Sequence, residues 1–339
     1  MLSRSRPETP LDGVDVLLAD LDGVVYKGAE AIPYAVDALN SAAATGVRVG
    51  YITNNASRSD AVVAEHLAGY GLAVRAEDVV TSPQAAMRLL REDLHEGALL
   101  LVVGGEGLVT EVQRAGFRVT RSADDGPDAV VQGFAPEVSW KDLAEASFAL
   151  ARDADGGGIP WVATNTDWTI PVARGIAPGN GTLVSAVHTA VGILPRVAGK
   201  PEQPIFDEAT ERFAARSPLF IGDRLDTDIL GARRAGIRSV HVLTGIDRAK
   251  QLLAADASMR PDYILEDLRQ LSEPYSLPST KRGVTTVGKA RVAIRSGRVE
   301  IDAEGGRSID LLRAACAAIW ESGKPIYALD VPEKLYKRS

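Results

Sequence analysis

The sequence predicts an α/β protein built on a doubly wound, Rossmann-like parallel sheet, with a second α/β domain inserted into it and a small α+β tail. Three observations support this prediction. Short apolar runs such as 14–19 are typical of parallel strands that are buried on both faces. Helix-like segments alternate with such strands up to about residue 270. A stretch rich in serine and proline, 272–282, then has the composition of a linker.

The predicted elements of the first domain follow a β-α-β order. Gly46 and Gly236 stand where helix C-termini are expected, because glycine readily adopts the left-handed conformation found there. The predicted strands are 14–19, 47–53, 218–221 and 239–243, and the predicted helices are 31–45, a segment from Ser59, and 227–235. These segments predict a core domain formed by 1–80 and 199–271.

More α/β elements lie between the two halves of this core. The predicted strands are 99–103, 129–132 and 161–164, and the predicted helices are 140–152 and 183–191. They indicate an inserted domain over 81–198. After the linker 272–282, a hairpin (290–294 and 299–303), a helix (308–320) and a last strand (325–329) indicate a C-terminal domain over 283–339. Because so few residues rarely fold alone, we expect this tail to pack on the core or on a second subunit.

Composition argues against several classes of protein. The chain has 339 residues, a formal net charge of −7 and no basic stripe, which argues against nucleic acid as a partner. Its single cysteine, Cys316, cannot form an internal disulfide and lies on an apolar helix face that indicates core packing. No apolar run approaches the length of a membrane span, and residues 1–6 lack the apolar run of a secretory signal. We therefore expect a cytoplasmic protein without a membrane partner.

Two aspartates end the first buried strand. Asp20 and Asp22 are two positions apart, so in an extended segment their carboxylates share one face. Ligands of open α/β sheets bind at the carboxyl ends of the strands, where these acids lie. A solvated acidic turn is the alternative. A calcium-binding loop is disfavoured, since such a loop needs glycine at its sixth position and Gly23 is fourth.

Two further polar segments could bind phosphate. Thr53, Asn54 and Asn55 follow a predicted strand, and their hydroxyl and amide groups can donate to phosphate oxygens. Lys200, held between a glycine and a proline, could neutralise a phosphoryl group or nearby carboxylates. Small polar residues are common at strand ends, and a lone lysine is usually a surface residue, so neither segment is specific by itself.

Three acids follow the strand 218–221 within six residues: Asp223, Asp226 and Asp228. Acids near a helix N-terminus are stabilised by the helix dipole, which could account for Asp226 or Asp228. The dipole does not account for Asp223, which lies at the strand end. Carboxylate oxygens are the ligands that Mg²⁺ prefers, so the segment predicts a magnesium site.

In this order, the four segments resemble the motifs of the haloacid dehalogenase-like superfamily. Asp20-Leu-Asp22-Gly matches its first motif, Thr53 the second, Lys200 the third, and Gly222-Asp223 with Asp228 the fourth. The insertion over 81–198 resembles the C2-type cap of this superfamily. Together with Thr53-Asn-Asn, Thr164-Asn-Thr-Asp and Gly199-Lys-Pro, it resembles the NagD-like, p-nitrophenylphosphatase-like branch. The resemblance covers about residues 12–270.

This resemblance implies a magnesium-dependent phosphatase. It makes Asp20 the nucleophile that forms an aspartyl-phosphate, and Asp22 the general acid and base. Mg²⁺ would be held by the side chains of Asp20 and Asp223 and the main-chain carbonyl of Asp22, with Asp228 holding metal-bound water. The residues implied to bind the phosphoryl group or substrate are Thr53, Asn54, Asn55 and Lys200.

A loop of the inserted domain is expected near the substrate. In it, Asn165 and Asp167 could contact the substrate or stabilise a turn, and Trp168 could pack between domains. Some relatives carry a basic residue where this chain has Thr169. A basic residue suits an acidic or aromatic leaving group, whereas Thr169 suits a small, neutral, polyol-like one. The order of cap, linker and tail resembles that of phosphatases acting on glycerol 3-phosphate, and this small phosphorylated metabolite is the implied substrate.

Other functions stay open at this point. Phosphoglycolate, sugar phosphates and nucleotide monophosphates are alternative substrates within the family. A binding protein on an inactive phosphatase scaffold is an alternative of another class, against which the four filled motifs argue. The tail faintly resembles part of a GNAT-type acetyltransferase but lacks an obvious glycine-rich loop, so we expect a structural or dimer-forming role. A homodimer is expected because C2-capped relatives often pair through their caps.

Overall fold

The computed structural model describes residues 9–151, 158–172 and 174–337. They form two compact units, Met1–Val49 with Arg216–Ser339 and Gly50–Ala215. The N-terminal residues considered for a signal, and the predicted helix end at Arg152, lie outside the described residues. In the described part of the chain, no helix has the length and apolarity that crossing a bilayer requires.

The strands are β1 (Val16–Ala19), β2 (Tyr26–Lys27), β3 (Glu30–Ala31), β4 (Arg48–Thr53), β5 (Val79–Thr81), β6 (Leu99–Val103), β7 (Arg118–Thr120), β8 (Ala129–Gln132), β9 (Trp161–Ala163), β10 (Thr169–Val172), β11 (Gly175–Pro178), β12 (Arg196–Val197), β13 (Pro218–Gly222), β14 (Arg238–Val242), β15 (Tyr263–Leu265), β16 (Ser279–Lys281), β17 (Val284–Val287), β18 (Ala290–Arg295) and β19 (Arg298–Ala303). The α-helices are α1 (Ala35–Ala44), α2 (Asp60–Gly69), α3 (Ser82–Asp93), α4 (Glu106–Arg114), α5 (Trp140–Ala151), α6 (Asn180–Val191), α7 (Gln203–Arg212), α8 (Leu230–Arg234), α9 (Ala249–Leu253) and α10 (Ser308–Glu321).

A parallel sheet of order β15-β14-β13-β1 forms the centre of the first unit. In its register, Val16 lies beside Pro218 and Ala19 beside Ile221, so β1 and β13 end at the same edge. All residues of β1 are buried, as are Leu219–Ile221. Burial on both faces explains the continuous apolar runs from which the sequence predicts these strands. The predicted doubly wound parallel fold is confirmed.

The second unit holds a five-stranded parallel sheet of order β12-β9-β8-β6-β7. Helices α5 and α6 pack together, and their apolar side chains form a core with the sheet: Val103, Val130, Ala146, Trp161 and Val184. The same unit contains the parallel pair of Tyr51–Thr53 in β4 with β5. The predicted inserted domain, 81–198, lies wholly within this unit, and its boundaries stay a prediction.

The tail belongs to the first unit. Its antiparallel sheet has the order β16-β17-β18-β19, and α10 packs on β17 and β18. One buried apolar cluster joins the tail to α9 and to the turn 225–229: Leu225, Ile229, Leu252, Val292, Leu312 and Cys316. Cys316 is completely buried, as predicted. The tail therefore shares a core with residues of the parallel-sheet unit.

One predicted element of the tail is wrong. The expected last strand, 325–329, is a 3₁₀ turn over Ile326–Ala328, followed by a single bridge between Arg298 and Asp330. Pro325 has a fixed φ and no N–H to donate, which favours the turn. Part of the predicted linker, Ser279–Lys281, is β16, because its main chain pairs with β17. In the second unit, the hairpin β10–β11 was also not predicted.

Arg313 of α10 anchors the tail to β15. Its Nε donates to the carbonyl of Ile264 (2.8 Å), its Nη2 to Gln270 (3.1 Å) and its Nη1 to Asp310 Oδ1 (3.2 Å). Because Arg313 and Asp310 are both buried, Arg313→Leu leaves a carboxylate without its charge partner. We expect the free energy of unfolding to fall by about 3–5 kcal/mol, measured by urea denaturation. Arg298→Leu removes an exposed ion pair and should cost far less; equal losses would contradict the anchoring role.

Candidate functional site

Three acidic side chains of the first unit meet at the carboxyl edge of its parallel sheet. Asp20 follows β1, Asp223 follows β13, and Asp228 lies in a π-helical turn, Leu225–Ile229. One carboxylate oxygen of each lies within 4.8 Å of the others. The residues are only 9%, 1% and 1% exposed. Buried carboxylates this close repel one another unless a cation or a proton lies between them.

The surroundings of Asp223 are shaped around its carboxylate. The N–H of Ile246 donates to Asp223 Oδ2 (2.5 Å). A Cβ on Gly245 or on Gly23 would overlap this oxygen, so glycine at both positions leaves room for the carboxylate. Gly23 also has φ +80°, a conformation that favours glycine. Buried, converging carboxylate oxygens without competing soft ligands fit Mg²⁺.

Asp228 organises the loop that carries Asp223. Its Oδ2 accepts from the main-chain N–H of Asp223 (3.0 Å) and of Arg224 (3.1 Å). The predicted helix over 227–235 therefore begins differently: a π-helical turn, Leu225–Ile229, leads into the short α8. Such turns are rare and are frequent at functional sites.

Asp22 differs from the three clustered acids. It is exposed, and its main chain forms a bridge with Tyr26 while Gly23 N–H donates to the Tyr26 carbonyl (2.8 Å). These contacts fix the backbone immediately after β1. A solvent-accessible carboxyl group held on a fixed turn can exchange protons with substrate or water, which is the property a general acid and base needs.

The phosphate-binding candidates lie in the second unit. Thr53 ends β4, is buried, and accepts from the N–H of Asn55 (3.1 Å). Asn55 is exposed, and its Oδ1 accepts from Ser57 N–H and Oγ (both 2.8 Å), which holds the turn after β4. Lys200 follows β12 and is only 3% exposed. Its main chain is hydrogen-bonded to the side chain of Asn54.

The structure brings two residues of the predicted cap loop to this group. Asn165 is buried; its Nδ2 donates to the Asn54 carbonyl (2.7 Å), and its Oδ1 accepts from Asp167 N–H (3.2 Å). Both carboxylate oxygens of Asp167 lie 3.3 Å from Asn54 Nδ2. These contacts favour the turn-stabilising interpretation of Asn165. Trp168 and Thr169 are exposed at the start of β10.

His241, to which the sequence assigns no role, supports the acidic loop. It is fully buried in β14, and its Nε2 donates to the carbonyl of Asp247 (3.1 Å). Asp247 in turn donates its N–H to the Asp223 carbonyl (3.1 Å) and accepts from Leu225 N–H (2.7 Å). The sequence gives no indication of this role, because a single histidine in an apolar strand forms no motif. The role follows from the register of β14, which places His241 beside Gly222.

Burial lowers the pKa of His241 from 6.5 to about 4. The unfolded chain therefore binds a proton below about pH 6.5 that the folded protein does not, so stability is lost as the pH falls from 6.5 towards 4. We expect the free energy of unfolding to drop by about 2 kcal/mol between pH 7 and pH 5, measured by urea denaturation. His241→Gln should lose this dependence, and the exposed His95→Gln should keep it. An identical drop in all three proteins would refute the assignment.

Family models match three segments of the chain. A model for haloacid dehalogenase-like hydrolases matches residues 17–118, and a HAD-hydrolase-like model matches 197–271. A model for a GCN5-related N-acetyltransferase-like domain matches 289–330, within the predicted C-terminal domain 283–339. The first two matches contain the acidic motifs and Lys200.

Individual proteins are similar over most of the chain. A D-glycerol 3-phosphate phosphatase from Mycobacterium tuberculosis is 42% identical over 312 residues, which cover 91% of this chain and 86% of that protein. The crystal structure of a glycerol phosphate phosphatase from the same organism, in complex with magnesium, aligns with a TM-score of 0.85 at 40% identity, covering 96% of this chain and 95% of that one. A p-nitrophenyl phosphatase from Archaeoglobus fulgidus aligns with a TM-score of 0.69 at 27% identity, covering 77% of this chain and 98% of that one.

Proposed function

Because the chain belongs to the haloacid dehalogenase-like hydrolase family, we propose that it is a magnesium-dependent phosphatase whose substrate is glycerol 3-phosphate. The observation that carries the proposal is the convergence of the buried carboxylates of Asp20, Asp223 and Asp228 at the carboxyl edge of a parallel sheet. The similarity to a D-glycerol 3-phosphate phosphatase supports the choice of substrate, since it covers 91% of the chain and so includes part of the tail.

The reaction proceeds in two steps on Asp20. Its carboxylate attacks phosphorus, the bond from phosphorus to the glycerol oxygen breaks, and an aspartyl-phosphate forms. Asp22 donates a proton to the leaving alkoxide. It then accepts a proton from the water that attacks the phosphorus of the intermediate, which releases inorganic phosphate and restores Asp20. The exposure of the Asp22 side chain supports this second role.

The residues proposed to hold magnesium are Asp20 and Asp223 through their side chains and Asp22 through its main-chain carbonyl. When bound, the ion supplies charge neutralisation for the transferring phosphoryl group and the nucleophile. Asp228 holds the main chain of Asp223 in place and is proposed to bind metal-coordinated water. The overlap that a side chain at Gly245 or Gly23 would produce supports a requirement for an undisturbed Asp223 carboxylate.

Thr53, Asn54, Asn55 and Lys200 are proposed to bind the phosphoryl oxygens. The chain has a net charge of −7, so a phosphate ester needs a local source of positive charge, which Lys200 and the metal supply. Among the residues of the cap loop, Thr169 is exposed and uncharged, which suits a small neutral leaving group better than an acidic one. Asp167 and Trp168 are further candidates for substrate contact.

The proposed domains are a catalytic core of 1–80 and 199–271, a C2-type cap of 81–198, a linker of 272–282 and a C-terminal domain of 283–339. Residues Ser279–Lys281 of this linker form β16. We further propose a cytoplasmic homodimer that acts in glycerophospholipid metabolism. Neither nucleic acid nor a membrane is part of the proposal.

A phosphate-release screen with the purified protein tests this proposal. We expect release from glycerol 3-phosphate to be faster than from phosphoglycolate, sugar phosphates, nucleotide monophosphates and pyridoxal phosphate, and EDTA to abolish it. Magnesium added back should restore it. Faster phosphate release from another ester would make that ester the proposed substrate, and the protein would still be a phosphatase. Tight binding of these esters without any release would favour a binding protein on an inactive scaffold.

A further inference from the structure

The side chain of Asn54 pairs with both polar main-chain atoms of Lys200. Its Oδ1 accepts from Lys200 N–H (2.8 Å), and its Nδ2 donates to the Lys200 carbonyl (2.9 Å). A carboxamide has one acceptor and one donor side, so these two partners fix its orientation. The pair reproduces the two hydrogen bonds that a neighbouring strand would make, at a place where no strand continues.

The second amide proton of the Asn54 side chain and its main-chain carbonyl also have protein partners. Both oxygens of Asp167 lie 3.3 Å from Nδ2, which gives the second amide proton an anionic partner. The carbonyl of Asn54 accepts from Ser82 Oγ and from Asn165 Nδ2 (both 2.7 Å). The main-chain carbonyl of Asn54 is therefore fixed by two side chains, and its carboxamide is hydrogen-bonded to Lys200. All the partners given for the carboxamide are protein groups.

Gly199 makes this approach possible. A Cβ at that position would lie 2.6 Å from Asn54 Oδ1 and 2.6 Å from the carbonyl of Thr164, distances at which neighbouring atoms must move. The glycine before Lys200 thus has a specific use, which is to admit the carboxamide. Gly199, Lys200 and Asn54 therefore pack together through direct contacts.

We propose that Asn54 is a positioning residue that acts through Lys200. The carboxylate of Asp167 holds the Asn54 side chain in place. A lysine side chain has four rotatable bonds, so a fixed main chain is a condition for presenting its ammonium group at one place. The inference rests on the proposed function of Lys200 in binding the phosphoryl group. In this inference the Asn54 carboxamide does not bind phosphate directly. It fixes the main chain of Lys200, which binds the phosphoryl group.

A double-mutant cycle separates the two roles. Asn54→Leu and Lys200→Met are made singly and together, and turnover of glycerol 3-phosphate and inhibition by inorganic phosphate are measured at saturating magnesium. If Asn54 acts through Lys200, Asn54→Leu should lower turnover and weaken phosphate inhibition by roughly 10- to 100-fold in the wild-type background. In the Lys200→Met background the same change should alter both by less than about 2-fold, because residues that act as a unit are non-additive.

Equal fold-changes in both backgrounds would overturn the inference, since a residue that binds phosphate directly, or only supports the fold, adds its effect independently. Asp167→Asn preserves the size of the side chain and serves as a second variant if Asn54→Leu does not fold. It should give a smaller loss that also disappears beside Lys200→Met. A wild-type protein without phosphatase activity, or an unimpaired Lys200→Met, would instead overturn the proposed function and the role of Lys200 with it.

Discussion

Asp20→Asn is expected to fold like the wild-type protein and to lose phosphatase turnover by about 10⁴-fold or more. The amide has the size of the carboxylate but cannot attack phosphorus, so the proposed first step loses its nucleophile. The variant should not be unstable. Asp20 lies among the carboxylates of Asp223 and Asp228, and a neutral amide of the same size adds no charge to this cluster.

The matched control for this variant is Asp226→Asn. Asp226 lies in the acidic segment that contains Asp223 and Asp228, but it is exposed and pairs with the guanidinium of Arg224 (2.9 Å). Neutralising it changes the local charge by the same amount without touching the carboxylate cluster, so turnover should remain near the wild-type rate. Comparable loss in both variants would mean that net charge, rather than the nucleophile, explains the effect.

Gly245→Ala is expected to be the most damaging single methyl addition at the acidic site. The new Cβ would overlap the carboxylate of Asp223, which is held by Ile246 N–H and cannot move without losing that hydrogen bond. Disturbing the surroundings that orient a metal ligand, as Asp223 is proposed to be, typically costs about 10- to 100-fold in metal affinity or activity. A magnesium titration of phosphate release should therefore show a higher half-maximal concentration and a lower maximum.

Gly306→Ala provides the comparison, because a Cβ there meets nothing within 4 Å and its backbone is not in the left-handed region. Thermal unfolding of both variants shows whether the fold is intact at the assay temperature. A Gly245→Ala protein with the magnesium response of wild type would contradict the proposed requirement for the Asp223 carboxylate.

The acidic cluster of the first unit could be predicted from sequence because parallel strands end at a common edge. Asp20 and Asp223 each follow a short apolar run, and two such runs with acids behind them already indicate one site. The pairing of β1 with β13 brings these acids together. Their closeness depends only on strand order and register, both of which the apolar pattern constrains.

The supporting contacts could not be predicted in the same way. A polar residue after a strand, such as Asn54, carries no indication of whether it faces a ligand or the main chain of a residue 146 positions away. The same holds for His241, whose partner is a carbonyl, and for Gly245, whose importance comes from the side chain opposite it. Such contacts depend on packing, which a single sequence does not encode locally.

Prolines account for part of what was missed in the fold. The hairpin β10–β11 contains Pro171 and Pro178, and proline within a short run argues against a strand unless the strand lies at an edge. These two strands pair only with each other, as a two-stranded sheet in the described part of the second unit. The opposite error at 325–329 has the same origin, since apolar residues after Pro325 resemble a strand but form a turn.

Acid quenching of the working enzyme shows which residue carries the phosphoryl group during turnover. The wild-type protein is mixed with magnesium and saturating glycerol 3-phosphate, quenched in acid during steady-state turnover, and digested for mass spectrometry. We predict a phosphoryl group on Asp20, in the peptide that contains Asp20-Leu-Asp22, and none in the Asp20→Asn protein treated identically. A phosphoryl group on any other residue, or wild-type turnover by Asp20→Asn, would contradict the account.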